Sequence, residues 1–158
     1  MKILIPMSDR DSDPTEVAIP WKQLTALGYE VQFPSPLGQI PEADRRMLSG
    51  RGLRPWRPFL RARKDARKAY SELEKDPHFQ SPLPYKELND RDFDGVILPG
   101  GHGPGIKTYL ESEELQQLVV EVTQAEKPLA AICHGVVLAA RAVNPETGKS
   151  VLFGRKTT

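Results

Sequence analysis

The stretch EKPLAAICHGVVLAARA, residues 126–142, decides the fold. It joins a short apolar segment, the only cysteine of the chain, Cys133, and a helix-like run that begins after His134. A buried strand, one residue and then a helix is the pattern of a nucleophile elbow, in which a tight turn projects a reactive side chain from the edge of a sheet. Such a turn needs small neighbours, and the chain supplies Ala130, Ala131 and Gly135.

The position of Cys133 predicts an activated thiol. The backbone N–H groups at a helix N-terminus favour a thiolate, so we expect a pKa below the ~8.5 of a free cysteine. The N–H group of His134 would then face an oxyanion formed on a substrate bound to sulfur. The alternative is a buried core thiol, because free cysteine is among the most buried residue types. The His-Gly pair after Cys133 favours the elbow.

A glycine-rich stretch, LPGGHGPG at residues 98–105, follows the apolar segment FDGVIL. Such a loop could cradle a phosphate, but it lacks the lysine of a P-loop and the spacing of the dinucleotide-binding fingerprint. We predict instead that Gly100 or Gly101 offers a backbone N–H as the second oxyanion donor. His102 either lines the pocket or is merely an exposed loop residue, and the sequence slightly favours the second interpretation.

Glu16 is the third candidate. Asp13, Pro14 and Glu16 have the form of a helix start with a capping box, in which Glu16 would accept a hydrogen bond from the N–H of Asp13. That role alone would explain the residue. The functional alternative places its carboxyl group over Cys133 as a proton carrier.

Apolar segments alternate with helical patterns along most of the chain, as in MKILIPM, YEVQFPSP, FDGVIL and PLAAIC. This alternation predicts an α/β fold: a doubly wound, mostly parallel sheet with helices on both faces, in three layers. The helix over SEELQQLVVEVTQAE should bury Leu115, Leu118, Val119 and Val122. Sites in such sheets lie beyond the carboxyl ends of the strands, so residues 8–13, 100–105 and 133–134 should converge.

Residues 34–88 differ from the rest because they are rich in proline and show no clear strand pattern. We interpret them as an insertion within a single domain, 1–158, with a helix-like stretch from Phe59 to Leu73. A basic run from Arg51 to Lys68 encloses Trp56 and Phe59, which could grip nucleic acid. A solvated face or a subunit contact is the favoured interpretation, and nucleic acid is a disfavoured partner. The basic residues are Arg51, Arg54, Arg57, Arg61, Arg63, Lys64, Arg67 and Lys68.

The composition sets broad limits. A net charge of +1 gives no general reason to expect a polyanionic partner. No apolar run approaches the ~20 residues of a membrane span, and the N-terminus does not have the form of a secretory signal. One cysteine cannot form an internal disulfide, and the cysteine and histidine residues do not have zinc-site spacing. We therefore expect a cytoplasmic protein with no metal, cofactor or membrane partner.

The motifs FDGVILPGGHGPG, PLAAICHGVVLAA and TEVAIPWKQLTALGYEVQFPSP resemble the ThiJ/PfpI superfamily of the class I glutamine-amidotransferase-like fold. The resemblance covers residues 1–33 and 85–158 and implies flavodoxin-like layering. The segment 34–84 is similar to the insertion of the larger, heat-shock-inducible glyoxalase and chaperone branch.

The resemblance also implies roles for individual residues. Cys133 corresponds to the nucleophile, Glu16 to the acid that hydrogen-bonds the thiol, His134 to the histidine after the nucleophile and Gly101 to an oxyanion-loop glycine. Members include cofactor-independent glyoxalases that convert methylglyoxal into lactate, proposed deglycases, peptidases, isonitrile hydratases and chaperones. We expect a thiol enzyme acting on a small carbonyl substrate; a chaperone or redox sensor with an oxidisable Cys133 is the alternative. A peptidase is less favoured, because the sequence shows no cleft for an extended chain.

The chain stops earlier than the resemblance leads one to expect. The acidic partner that orients the histidine in many members would lie beyond Thr158. The segment KSVLFGRKTT at the end is predicted to begin another extended element of the sheet. A sheet that ends there should have an open edge, so we expect a homodimer or a complementing chain.

Overall fold

A four-stranded parallel sheet organises the chain, in the order β2-β1-β3-β4. The computed structural model describes residues 1–52 and 55–156, without the side chains of residues 57 and 58. The sheet strands are β1 (Lys2–Leu4), β2 (Glu30–Gln32), β3 (Gly95–Leu98) and β4 (Leu129–Ala131). The chain moves outward from β1 to β2 and then returns to the other side of β1, so the strand order reverses between β1 and β3. In sheets of this kind, that reversal opens a crevice at the carboxyl ends of the strands.

Eight α-helices and a small hairpin complete the described part of the chain. The helices are α1 (Pro14–Ala26), α2 (Arg45–Ser49), α3 (Arg57–Leu60), α4 (Lys64–Leu73), α5 (Pro77–Gln80), α6 (Ile106–Glu111), α7 (Glu113–Gln124) and α8 (Gly135–Arg141). Single 3-10 turns lie at Tyr85–Glu87 and Asp90–Asp92. The hairpin pairs β5 (Val143–Asn144) with β6 (Lys149–Ser150) in antiparallel register.

Both faces of the sheet are covered, which confirms the predicted α/β layering. Side chains that alternate along a strand point to opposite faces, and the two hydrophobic clusters divide the strands accordingly. One cluster joins Ile5 and Val31 to helices α1, α4 and α5. The other joins Leu4 and Val96 to helices α6, α7 and α8. The α7 residues predicted to face the core are all buried: Leu115, Leu118, Val119 and Val122.

Helix α1 begins as predicted. Asp13 is its N-cap and accepts hydrogen bonds from the backbone N–H groups of Thr15 and Glu16, and Pro14 occupies the first turn. Pro20 lies inside the helix without ending it, although a proline removes one backbone hydrogen bond. The helix therefore carries Glu16, in its first turn, to the carboxyl-end edge of the sheet.

Part of the segment 34–88 packs beside α1. Helix α4 lies against α1, and its Ala69 and Leu73 are fully buried in the same cluster as Val17. The predicted helix from Phe59 to Leu73 is in fact two helices, α3 and α4. The break between them has a tertiary cause, because the N–H of Ala62 donates to the carbonyl of Met47 in an earlier helix instead of continuing a helical turn.

Two further corrections concern short elements. Helix α6 was not predicted; it follows directly on the glycine-rich loop and has only six residues. The predicted extended element at the end of the chain is also wrong as far as residue 156, the last described residue: only Lys149–Ser150 of that segment is a strand, and it forms a hairpin apart from the main sheet. A turn closed by the Gly148 N–H on the Asn144 carbonyl directs it back onto β5.

Candidate active site

Three loops meet at the carboxyl-end edge of the sheet, as the sequence predicts. The N–H of Asp13 donates to the carbonyl of Gly100 at 2.9 Å. The N–H of Gly105 donates to the Asp11 carboxylate at 2.8 Å, and the N–H of Ile132 donates to the Leu98 carbonyl at 2.9 Å. These bonds fix the loop after β1, the glycine-rich loop and the turn after β4 relative to one another.

Cys133 occupies a strained turn between β4 and α8. Its φ of +52° lies in the left-handed region that L-residues other than glycine rarely adopt. Gly135 explains how the turn can sit so close to β3, because a Cβ atom at that position would lie 2.1 Å from the carbonyl oxygen of Leu98. The backbone thus has the geometry of a nucleophile elbow, and the side chain of Cys133 is exposed instead of buried in the core. Ala130, by contrast, is exposed and makes no such close packing.

The ionisation of Cys133 runs against the expectation from the helix end. Partial burial of the sulfur and the neighbouring Glu16 carboxylate raise the pKa of the thiol, and the N–H of His134 offsets this in part. The structure therefore reverses the predicted direction for the resting site. The physical reasons are that partial burial removes water from around the sulfur and that Glu16 brings a negative charge close to it, while the helix behind the turn has only seven residues.

Glu16 does not complete a capping box. Its Oε2 atom accepts a hydrogen bond from the N–H of Gly100 at 2.7 Å, while the N–H of Asp13 donates to the Gly100 carbonyl. The carboxylate is also a neighbour of Cys133, because a Cβ atom on Gly100 would lie 3.1 Å both from Cβ of Cys133 and from Oε2 of Glu16. Burial raises the pKa of Glu16, and the Gly100 bond offsets part of that rise. Glu16 is therefore held between the glycine-rich loop and the sulfur, poised to take up a proton.

Gly100 and Gly101 have distinct environments. A Cβ atom on Gly100 would lie 2.6 Å from the backbone nitrogen of His134, and one on Gly101 would lie 2.1 Å from the carbonyl oxygen of Asp11. Both positions therefore require glycine for close packing. Because the Gly100 N–H already donates to Glu16, Gly101 is the better candidate for the second oxyanion donor, and this role stays a prediction.

Two imidazole rings flank the thiol. The Sγ atom of Cys133 lies 3.5 Å from Nδ1 of His134 and 3.8 Å from Nε2 of His102. The two rings meet edge to face, with centroids 5.2 Å apart and an interplanar angle of 87°. The slight preference for His102 as a mere loop residue is therefore wrong. All three side chains are exposed to solvent.

Only part of this site could be predicted from the sequence. It placed Cys133, His134, Glu16 and the two glycines at one edge, and the structure brings them together. Sequence reasoning missed that His102 lies next to Cys133. The one sign of this in the sequence was the position of His102 directly after the Gly-Gly pair. Sequence reasoning also missed Asp11, whose φ of +70° and contacts with the glycine-rich loop have no local sequence pattern.

Among the described residues, no helix is both long and apolar enough to cross a membrane. The basic run of the insertion is partly engaged within the chain: Arg61 donates to the Leu48 carbonyl and Arg67 to the Ala62 carbonyl. Arg54 and the side chain of Arg57 lie outside the described residues. Nucleic-acid binding by this run stays a disfavoured prediction.

A comparison with protein families decides the relationship. The model described as "ThiJ/PfpI family-like" matches residues 7–152, which is most of the chain and includes every candidate site residue. The chain belongs to the ThiJ/PfpI family. The strained cysteine turn and the Gly-Gly loop beside it are thus set in the superfamily that the sequence motifs resemble.

Relatives of this ThiJ/PfpI protein carry several names. The "Glutathione-independent glyoxalase hsp3101" of Schizosaccharomyces pombe is 27% identical over 156 residues, covering 90% of this chain and 56% of that protein. "Protein DJ-1 homolog D" of Arabidopsis thaliana is 31% identical over 145 residues, covering 90% of this chain and 31% of that protein. The chain thus spans about half of the yeast protein and about a third of the plant protein.

A solved structure agrees with the fold. Glyoxalase III from Candida albicans superposes with a TM-score of 0.66 at 18% identity, covering 96% of this chain and 64% of that one. At this identity the likeness establishes the arrangement of the sheet and helices. What the ThiJ/PfpI chain does must be argued from its own site.

Proposed function

We propose that this chain is a cysteine-dependent enzyme that acts on small reactive carbonyl compounds and requires no cofactor. The specific reaction we infer is glyoxalase III-like: methylglyoxal and water give lactate. One observation carries the proposal, namely the exposed Cys133 thiol in a strained turn beside the Glu16 carboxylate, which the N–H of Gly100 holds in place. The names of relatives, a glutathione-independent glyoxalase and the deglycase PfpI of Pyrococcus furiosus, support this class of substrate.

The first step forms a carbon–sulfur bond. The thiol of Cys133 passes its proton to the neighbouring Glu16 carboxylate, and the thiolate attacks the aldehyde carbon. The carbonyl oxygen becomes an oxyanion, for which the His134 N–H and the Gly101 N–H are the proposed donors. Protonation of that oxygen gives a hemithioacetal. A base with a raised pKa suits this step, because it holds the proton it has taken and can later return it.

The second step moves hydrogen within the substrate. A base, Glu16 or His134, removes the proton from the former aldehyde carbon and leaves an enediol. Return of a proton to the neighbouring carbon gives a thioester of lactate. The aldehyde carbon is oxidised as the ketone carbon is reduced, so the step needs no external electron acceptor. Water then hydrolyses the thioester, which releases lactate and the free thiol. A deglycase or hydrolase reaction would use the same nucleophile.

The test is consumption of methylglyoxal with appearance of lactate. We expect Cys133→Ser to abolish turnover and Glu16→Gln to lower it by ~10²–10⁴-fold, which is the usual contribution of a general acid–base group. His78→Ala is the matched control, because His78 is partly exposed and lies near Glu30, away from the thiol. Full activity in a folded Cys133→Ser protein would refute the proposal.

A second candidate function rests on the exposure of the site and of two aromatic residues in the segment 34–88. Trp56 is 63% exposed and Phe59 is 83% exposed, which is a surface suited to holding unfolded chains. An exposed thiol beside a carboxyl group could also be oxidised to a sulfinic acid as a redox sensor. This chaperone or sensor function would be favoured by two results together. The parent protein would show no turnover of carbonyl compounds, and Cys133→Ala would suppress aggregation as well as the parent does.

A further inference from the structure

The side chains of His102, Cys133 and His134 form a cluster with three potential metal ligands. Each offers one ligand atom, and these atoms all lie within 4.8 Å of one another. The ligands come from the loop after β3 and the turn after β4, which are 31 residues apart in sequence. No spacing rule for zinc sites could have revealed this arrangement, because such rules depend on ligands that are close in sequence.

The two sulfur–nitrogen distances fit a tetrahedral metal ion. Zinc lies about 2.3 Å from a thiolate sulfur and about 2.0–2.1 Å from an imidazole nitrogen, which places sulfur and nitrogen about 3.5 Å apart in a tetrahedral site. The observed separations from Sγ of Cys133 are 3.5 Å to His134 and 3.8 Å to His102. Small rotations of the exposed rings would suffice to complete the geometry.

The backbone behind the three ligands is already fixed. The Asp13–Gly100 and Asp11–Gly105 hydrogen bonds hold the loop that carries His102. The close packing of Gly135 on the Leu98 carbonyl holds the turn that carries the other two ligands. A metal ion would therefore order only side chains, and a site of this kind loses little conformational entropy on binding.

We propose that His102, Cys133 and His134 bind one thiophilic divalent metal ion, of which Zn²⁺ is the natural representative. One sulfur and two nitrogen ligands suit such an ion and not Mg²⁺ or Ca²⁺, which prefer oxygen. On binding, a bond forms between Cys133 sulfur and the metal, the S–H bond breaks, and the proton passes to solvent. The fourth position stays open to water or an added anion.

A bound metal would occupy the lone pair with which the thiolate attacks a carbonyl. Metal binding and chemistry at Cys133 would then exclude one another, and this part of the inference rests on the proposed function. The ion would act as a reversible mask of the nucleophile, removed by a chelator, and not as a catalyst. Metal binding itself rests on the geometry of the three side chains alone.

The experiment uses Co²⁺ as a spectroscopic probe of the metal-free protein, in the absence of any substrate. We expect a thiolate-to-cobalt charge-transfer band in the near ultraviolet, saturating at one ion per chain, and loss of that band when Zn²⁺ is added. Because Cys133 is the only cysteine, the band can arise from no other residue. His102→Ala and His134→Ala should each weaken binding by at least ~10-fold, whereas His78→Ala should leave it unchanged.

Alkylation of Cys133 with iodoacetamide gives a second measurement that needs no variant. We expect alkylated protein to show no charge-transfer band, and Zn²⁺ to protect the thiol of the parent protein from alkylation. Absence of the band in the unmodified protein, or a band unaffected by both histidine substitutions, would overturn the inference. If the protein shows the band but does not consume methylglyoxal, the metal site is supported and the proposed function is refuted. If it consumes methylglyoxal but shows no band, the proposed function is supported and the metal site is refuted.

Discussion

At the scale of single residues, the site depends on Glu16 being where it is. A capping role would have explained this residue from sequence alone, and the structure replaces that role with contacts to Gly100 and Cys133. Local pattern could not distinguish the two, because a capping bond is formed within one helical turn and the actual contact spans 84 residues. The elbow at Cys133 was more predictable, since its strand, turn and helix are contiguous in sequence.

The first prediction concerns the ionisation of Cys133. Because the Glu16 carboxylate helps to raise the pKa of the thiol, Glu16→Gln should shift the pH midpoint of alkylation to lower pH. The glutamine side chain has no negative charge, and its amide can donate to the thiolate. Alkylation rate against pH measures the shift, and Glu113→Gln, which removes an exposed charge in another helix, is the control. A midpoint that moves to higher pH would contradict this account.

The second prediction concerns stability and pH. The pKa of Glu16 in the folded protein lies above its ordinary value of 4.5, so the folded form binds this proton more tightly than the unfolded chain. The resulting stabilisation is present below that ordinary value and is lost as the pH rises through the folded pKa. Glu16→Gln should therefore gain in melting temperature relative to the parent as the pH rises from about 4 to about 7. If the difference in melting temperature between Glu16→Gln and the parent stays constant over this pH range, the pKa of Glu16 is not raised by folding, and the prediction is wrong.

At the scale of secondary structure elements, the sequence predicted those with a strong internal pattern. Helix α7 shows a clear apolar period and a Ser112 cap, and its buried face was predicted except for Val120. Helix α6 was missed because its six residues are too few to display a period. The break between α3 and α4 was missed because a tertiary hydrogen bond, from Ala62 to Met47, overrides a continuous helical pattern.

Two buried tyrosines give the third prediction. The Tyr109 hydroxyl of α6 is fully buried and, among the described residues, is the one buried side-chain oxygen or nitrogen without a hydrogen-bond partner. Tyr109→Phe removes that unsatisfied group and should raise the free energy of unfolding by about 1 kcal/mol. The matched variant is Tyr85→Phe, whose hydroxyl donates to the Met7 carbonyl and whose loss should cost about 1 kcal/mol. Chemical denaturation measures both, and equal changes in the two variants would contradict the prediction.

At the scale of the whole molecule, the sheet has an open side. Within the described part of the chain, β4 pairs with β3 only, and a cavity of about 670 Å³ lies beside it, lined in part by Leu129, Ala131 and Val136. Unpaired strand edges are templates for association with another chain. The arrangement of the layers could be predicted from the alternation of strands and helices, but what covers this edge could not.

The fourth prediction is therefore that the chain associates in solution, either with itself or with a complementing polypeptide. Trp56, Phe59 and Leu60 offer a second exposed contact, and aromatic residues are enriched at interfaces. Light scattering at micromolar concentration measures the mass. A value near 17.7 kDa, together with a cooperative two-state thermal transition, would show that the fold closes without a partner.

The long sequence separations of the contacts around the sulfur have a consequence for the order of folding. The Glu16–Gly100 bond closes a loop of 84 residues and the Asp11–Gly105 bond one of 94, whereas the cysteine turn is local. Contacts of high sequence separation carry a large loop-closure entropy and tend to form late. Before the N-terminal helix docks, the Cys133 thiol should thus be exposed to solvent and have no contact with Glu16. The rate of alkylation of Cys133 should therefore fall during refolding, and the time at which it falls would report when the N-terminal helix docks.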